Sequence, residues 1–483
     1  MNGKTFVKLL ALLCVFVMLL TVTTACGKSK NESDEYSVIW EEVDGDKTST
    51  GESNAPGGQD TSDGQGGSQG GSHGNTSGGK NNTSGGKNNT SGSGTSTSVD
   101  ASKYRGTVVK YATWKDPKLN EDGSVVEAFQ KRYGITVQVV SVPQGGYIQK
   151  IMGYIASGDA PDVYIDTAEW PATLGIAAPI TNAQIDMSDP IWDQATFKTT
   201  TINGKVYGCN TLGNVWSEAD CVFFNKKLME DNNITTPAEY YAAGKWDLDA
   251  MEKCLRDVKN AGYKGGFTRP ESLAACYDGD WVKMQDGKMV NNSGSSMLTN
   301  VYKRIAKWYE EGLLVTADSY FNDGNVGLCI DPAFGLKRTG TFAKMNQDYV
   351  GYTFMPDYDK NTKAQPCGID RFYGVCKKAP NPVAAGIFLR YYLDSANYDL
   401  NKTFISTDAA TFFFKVTSAA VEKKNIYYMN GVADVVGTFT WFKYCDMPYK
   451  HSSQQIGTAI QAENNVIEGY CKTVNEYIKT QTQ

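Results

Sequence analysis

Hydrophobic and polar positions divide the chain into three stretches of different character. Leu9 to Val22 is an apolar run broken only by Cys14 and Thr21, with Lys4 and Lys8 before it. Residues 28 to 103 are nearly free of large apolar groups. From Tyr104 onward the pattern becomes periodic. Thr107–Thr113 reads as a strand, and Ser124–Tyr133 as a helix with Val125, Val126 and Phe129 on one face and Gly134 as its stop. Ile135–Val142 is a second strand, Tyr147–Ala156 a second helix closed by Gly158, and Asp162–Ile165 a third strand. Helical periodicity returns in Asp247–Lys259, Ser296–Tyr309, Pro382–Leu393 and Ile456–Thr480. Strands alternating with helices predict an α/β fold with a largely parallel sheet covered on both faces. About 380 residues follow residue 103, more than one hydrophobic core usually serves, so two lobes are predicted.

The apolar run is shorter than the roughly 20 residues that span a bilayer, and it suits the core of a secretory signal peptide. Thr23-Thr24-Ala25-Cys26 follows it and resembles the end of a bacterial lipoprotein signal, with Thr23 where Leu is usual. The resemblance implies removal of residues 1–25 and lipidation of Cys26, which places the protein at the cell membrane, facing outward. The alternative is an ordinary signal peptide with an incidental Cys. A diacylglyceryl Cys provides two chains, enough for stable anchoring where one is marginal. Residues 26–103, rich in Gly, Ser, Asn and Thr, repeat Thr76-Ser77-Gly78-Gly79-Lys80-Asn81-Asn82 as Thr83 to Asn89. Such a composition cannot bury enough surface to offset its ordering entropy, so a disordered tether is expected. About 76 residues of flexible coil average roughly 45–50 Å end to end.

The whole chain carries 47 Lys and Arg against 53 Asp and Glu, and loss of Lys4 and Lys8 with the leader makes the mature net charge −8. That balance argues against a nucleic-acid partner, which needs a clustered basic face. Nine Cys lie beyond residue 103 with no C-x-x-C, which suits small buried apolar side chains, although one or two disulfides are open to an exported protein. His451 is the single His beyond the tether, so His-based zinc sites and Ser-His-Asp triads are poorly supplied. No metal or other cofactor is expected.

Gly204-Lys205-Val206-Tyr207-Gly208, then Phe223-Phe224-Asn225-Lys226-Lys227-Leu228, then Lys245-Trp246-Asp247 resemble the central signature of extracellular solute-binding proteins of family 1, the group that includes the maltose-binding proteins of ABC importers. Ala156-Ser157-Gly158-Asp159-Ala160-Pro161-Asp162-Val163 upstream, and Gly374-Val375 through Asn381-Pro382 to Phe388-Leu389 downstream, fit the same family in order. The resemblance covers 104–483. It implies a periplasmic-binding-protein-like fold, two α/β lobes joined by a hinge with a ligand cleft between them. Lobe 1 would take about 104–215 and 350–394, and lobe 2 about 220–348 and 395–483.

Many members bind oligosaccharides, whose apolar faces stack on aromatic rings and whose hydroxyls suit charged hydrogen-bonding groups. Nine Trp and 28 Tyr supply the rings. By resemblance, Trp114 and Asp116 after the first strand, and Asp166, Glu169 and Trp170 after the third, line the cleft. Trp216 and Glu218 sit at the first crossing, Phe334 follows Asp331-Pro332 where the family often stacks a Trp, and Arg371 could clasp a ligand. The same residues could instead cap loops, pack under Pro171 or build the hinge. The maltose binders' late stacking Trp is replaced here by Ser452-Ser453, with Trp441 as the nearby substitute. Trp246 and Trp308 read as structural.

The function this implies is a lipid-anchored receptor, a monomer, that captures an oligosaccharide and delivers it to ABC permease subunits. A non-transport polysaccharide binder or sensor, or a family member for a non-sugar solute, is the alternative. A glycosidase would need only two carboxylates some 5–10 Å apart, but no catalytic motif supports an enzyme.

Overall fold

The computed structural model describes residues 99–483 except 115–123, 144, 166–169, 218, 317–318, 369–371 and 424–440. Eight strands build its two larger sheets: β1 (Val108–Thr113), β2 (Thr136–Ser141), β3 (Val163–Ile165), β4 (Asp220–Asn225), β5 (Lys264–Phe267), β6 (Val326–Pro332), β7 (Val350–Thr353) and β8 (Tyr373–Val375). The helices that matter here are α1 (Val125–Tyr133), α2 (Tyr147–Ser157), α3 (Leu248–Asn260), α4 (Pro270–Ala275), α5 (Ser296–Glu310), α6 (Pro382–Tyr392), α7 (Thr407–Lys423) and α8 (Ile456–Thr482).

Local chemistry explains where these elements begin and end. The Ser124 side chain accepts the Glu127 N–H and opens α1, and Gly134 closes it at φ 66°, a left-handed position that a Cβ disfavours. Asp247 opens α3 by accepting the Ala250 N–H at 2.9 Å. All six residues of β4 are buried, because Val222 and Phe224 face one core while Cys221 and Phe223 face another. A strand covered on both faces reads as a continuous apolar run rather than an alternating one.

The first sheet has the order β8-β3-β1-β2. β1 runs parallel to β2 from Val108↔Thr136 to Thr113↔Ser141, and parallel to β3 through Tyr111↔Val163. β8 is antiparallel to β3. The second sheet has the order β7-β4-β6-β5, with β6 parallel to β5 and antiparallel to β4. β7 pairs with β4 from Val350↔Asn225 to Thr353↔Val222. Residues 350–353 therefore belong to the second sheet, not to the first as the 350–394 boundary expects. The apolar residues of β7 complete the sheet edge beside β4, so the chain returns to the first sheet only between Thr353 and Tyr373.

Asp162 ties the first lobe together: its carboxylate accepts the Lys110 N–H at 2.9 Å and the Asn381 N–H at 2.6 Å. Helix α8 touches both halves. Asn475 exchanges two bonds with the Met289 backbone on the second (2.7 and 2.9 Å), while the Tyr477 hydroxyl donates to the Ala172 carbonyl on the first. No helix among the described residues is long and apolar enough to cross a membrane.

Candidate functional site

In open α/β sheets ligands bind beyond the carboxyl ends of the strands. At that edge of the first sheet β1 runs into Trp114, and Trp170 follows β3 by five residues. Trp114 is half-buried and stands edge-on to Tyr147, ring centroids 5.6 Å apart. The Tyr147 hydroxyl donates to the Ala112 carbonyl and accepts the Ile165 N–H, so it pins the ends of β1 and β3 together. Trp170 is only 4% exposed, packs edge-on against Phe372 and precedes Pro171 through a cis peptide bond. Its indole Nε1 is buried with no acceptor among the described residues.

The chain passes between the sheets after Thr211, and there Trp216 lies nearly parallel to Tyr392, 6.0 Å between centroids. The Trp216 indole donates to the Tyr398 hydroxyl at 3.0 Å, which in turn donates to the Tyr392 carbonyl at 2.7 Å. A hydroxyl-to-carbonyl bond from Thr211 to Leu393 links this crossing to the last one. Lys337 brings two of the expected residues together. Its buried ammonium lies 5.0 Å from the Trp216 ring, 4.8 Å from Phe334 and 5.4 Å from Phe413. A desolvated cation over aromatic faces gains up to about 2 kcal/mol, so the rings are held in a definite orientation.

Beside this cluster the second sheet ends in charge. β5 runs into Thr268 and Arg269, β6 ends in Asp331-Pro332, and Asp220 heads β4 directly opposite Pro332. Arg269 bonds Glu271 at 3.3 Å and lies 3.8 Å from both Asp220 and Asp331. All four side chains are nine-tenths or more buried. Three carboxyl groups surround one guanidinium in a nearly dry patch, rich in groups that suit hydroxyls. Next to it Thr268 Oγ1 and Ser272 Oγ are buried without partners among the described residues. Sequence reasoning missed Asp220, Arg269 and Asp331. Their only signal was a charge at, or just beyond, one end of each strand.

Asp116, Asp166, Glu169, Glu218, Arg371 and Cys26 lie outside the described residues. Trp441 begins the short helix Trp441–Cys445, and its side chain also lies outside them. Trp246 and Trp308 are buried, with indoles bonded to the Phe354 carbonyl and the Glu252 carboxylate at 2.8 Å each. A groove of about 1220 Å³ between α8 and the turns at Asn203 and Asp286 shares no residue with these clusters. It has no aromatic ring in its walls, so it cannot stack a sugar.

The family described as bacterial extracellular solute-binding protein matches residues 124–427. Among curated proteins no sequence matches. A solved extracellular solute-binding protein from Staphylococcus aureus in complex with maltose is similar in fold, with a TM-score of 0.54 at 16% identity over 76% of this chain and 98% of that one.

Proposed function

This chain belongs to the bacterial extracellular solute-binding proteins, and from that premise we propose that it is a lipid-anchored receptor that captures an oligosaccharide between its lobes and delivers it to an ABC importer. The observation that carries the reading is the juxtaposition of Trp216 and Phe334 around Lys337, with Asp331 three residues before Phe334 and Arg269 3.8 Å from Asp331. Rings for the apolar face of a pyranose adjoin charged groups for its hydroxyls. The maltose complex of the Staphylococcus aureus relative supports a carbohydrate ligand. Capture works by lobe closure: rotation about the crossings buries the sugar's hydroxyls, and a polar group left unpaired costs about 1–3 kcal/mol. That cost rejects sugars whose hydroxyls do not match the site. Cys26 would hold the receptor at the membrane while residues 26–103 let it reach the permease.

The test is thermal unfolding of the exported chain carrying Cys26→Ser against a panel of defined oligosaccharides. A ligand at 100 times its dissociation constant adds about 2.7 kcal/mol of stability, and a rise confined to one linkage family identifies the substrate. If no glycan moves the melting curve, the carbohydrate reading is wrong and peptides, polyamines and metal complexes come next. Vesicles carrying the cognate permease then separate import from surface adhesion: ligand uptake supports delivery, and binding without uptake overturns it.

A further inference from the structure

Cys276 and Cys367 are 91 residues apart in sequence, yet their Sγ atoms lie 3.1 Å apart in a fully buried site. Cys276 closes α4, the helix that follows the charged end of β5. Cys367 lies in the segment that returns the chain from β7 to β8. Backbone bonds hold both in place. The Gln365 N–H donates to the Cys276 carbonyl, and the Asp220 N–H donates to the Cys367 carbonyl, each at 2.8 Å. The Cys367 thiol also meets the Ser272 carbonyl at 3.2 Å. A disulfide has its sulfurs about 2.05 Å apart, so each Sγ need move only about half an ångström, within reach of a small side-chain rotation.

We propose that Cys276 and Cys367 are joined by a disulfide in the exported protein. The compartment fits, since members of an extracellular family work where disulfides persist. The two thiols lose two protons and two electrons to an exchangeable disulfide of that compartment, an oxidised small thiol or a thiol oxidoreductase, which leaves as two thiols. Exchange takes place on the folding chain, before α4 and the return segment close over the pair. In the folded chain burial holds the Cys367 thiol well above its ordinary pKa, so little thiolate forms there. The finished bond is likewise out of reach of small thiols. It would fix the return segment to the second lobe as far as Cys367.

The test uses full-length protein exported with its own leader, unfolded without reductant, alkylated with iodoacetamide, digested and weighed. The expected product is one linked peptide pair holding Cys276 and Cys367, two hydrogens lighter than the separate peptides. Full alkylation of both, or linkage of either to a third Cys, overturns the proposal. A second measurement compares melting before and after reduction in denaturant and refolding in reductant. Closing so long a loop should raise the wild-type midpoint by roughly 3–8 °C, lost on reduction. The Cys367→Ser variant should not respond to reduction; an equal response in both proteins counts against the bond.

Discussion

Asp280 is buried, and its Oδ1 has no partner among the described residues. Burial pushes its carboxyl up to about 8, against a partial offset from Lys283. The unfolded carboxyl titrates near 3.9, so between these values the folded chain holds the extra proton. Stability from this group is therefore complete below about pH 4 and lost as pH rises toward 8. Asp280→Asn keeps the shape and removes the titration. It should match wild type near pH 4 and exceed it by roughly 2 kcal/mol or more at pH 8; melting curves that run parallel across that range would refute this. At Trp170 the prediction concerns binding. Trp170→Ala should weaken oligosaccharide affinity at least tenfold, about 1.4 kcal/mol. Trp170→Phe keeps a ring against Phe372 but deletes the indole N–H, and a loss of about fivefold is expected if that donor meets a ligand oxygen. Calorimetric titration of both variants decides it, and unchanged affinity in both removes Trp170 from the site.

At the scale of elements, Asp162 matters more than its place in a short motif suggests. Its carboxylate joins β1 to the start of α6, and burial holds its pKa above the ordinary value despite the two backbone N–H groups it accepts. Asp162→Ala strands both donors and should cost about 2–4 kcal/mol, measured by denaturant unfolding; a loss below about 1 kcal/mol would mean that water replaces the carboxylate. The elements themselves were largely legible. Ser124, Gly134, Gly158 and Asp247 mark helix ends within a residue of where the chain places them, because caps act on hydrogen bonds three or four residues away. The placement of β7 was not legible. Val350–Thr353 is a short apolar run that could edge either sheet, and only its pairing with β4 decides the matter.

For the whole molecule the question is how the two halves move. Helix α8 bonds to both, through Asn475 on one side and Tyr477 on the other. Tyr477→Phe removes the hydroxyl that donates to the Ala172 carbonyl and also meets the Gly175 backbone, and it should lower stability by about 1 kcal/mol or more. If lobe closure shifts α8 against the first half, the same change should also alter ligand affinity. Paired melting and titration measurements separate the two effects, and a change in neither would make the contact incidental.

What the chain by itself determined was local and compositional. The apolar run before Cys26, the polar stretch to residue 103, the capped helices and the ordered run of family motifs are each written in neighbouring residues, because capping and periodicity act over a few positions. Tertiary structure alone decided which distant residues meet. Arg269 finds Asp220 and Asp331 because β4 begins where β5 and β6 end in the second sheet. Lys337 finds Trp216 and Phe334 at a crossing between halves, and Cys276 finds Cys367 across 91 residues. The physical reason is that strand register and the closure of long loops, which set those meetings, depend on packing the whole core at once, and no short window of sequence contains that information.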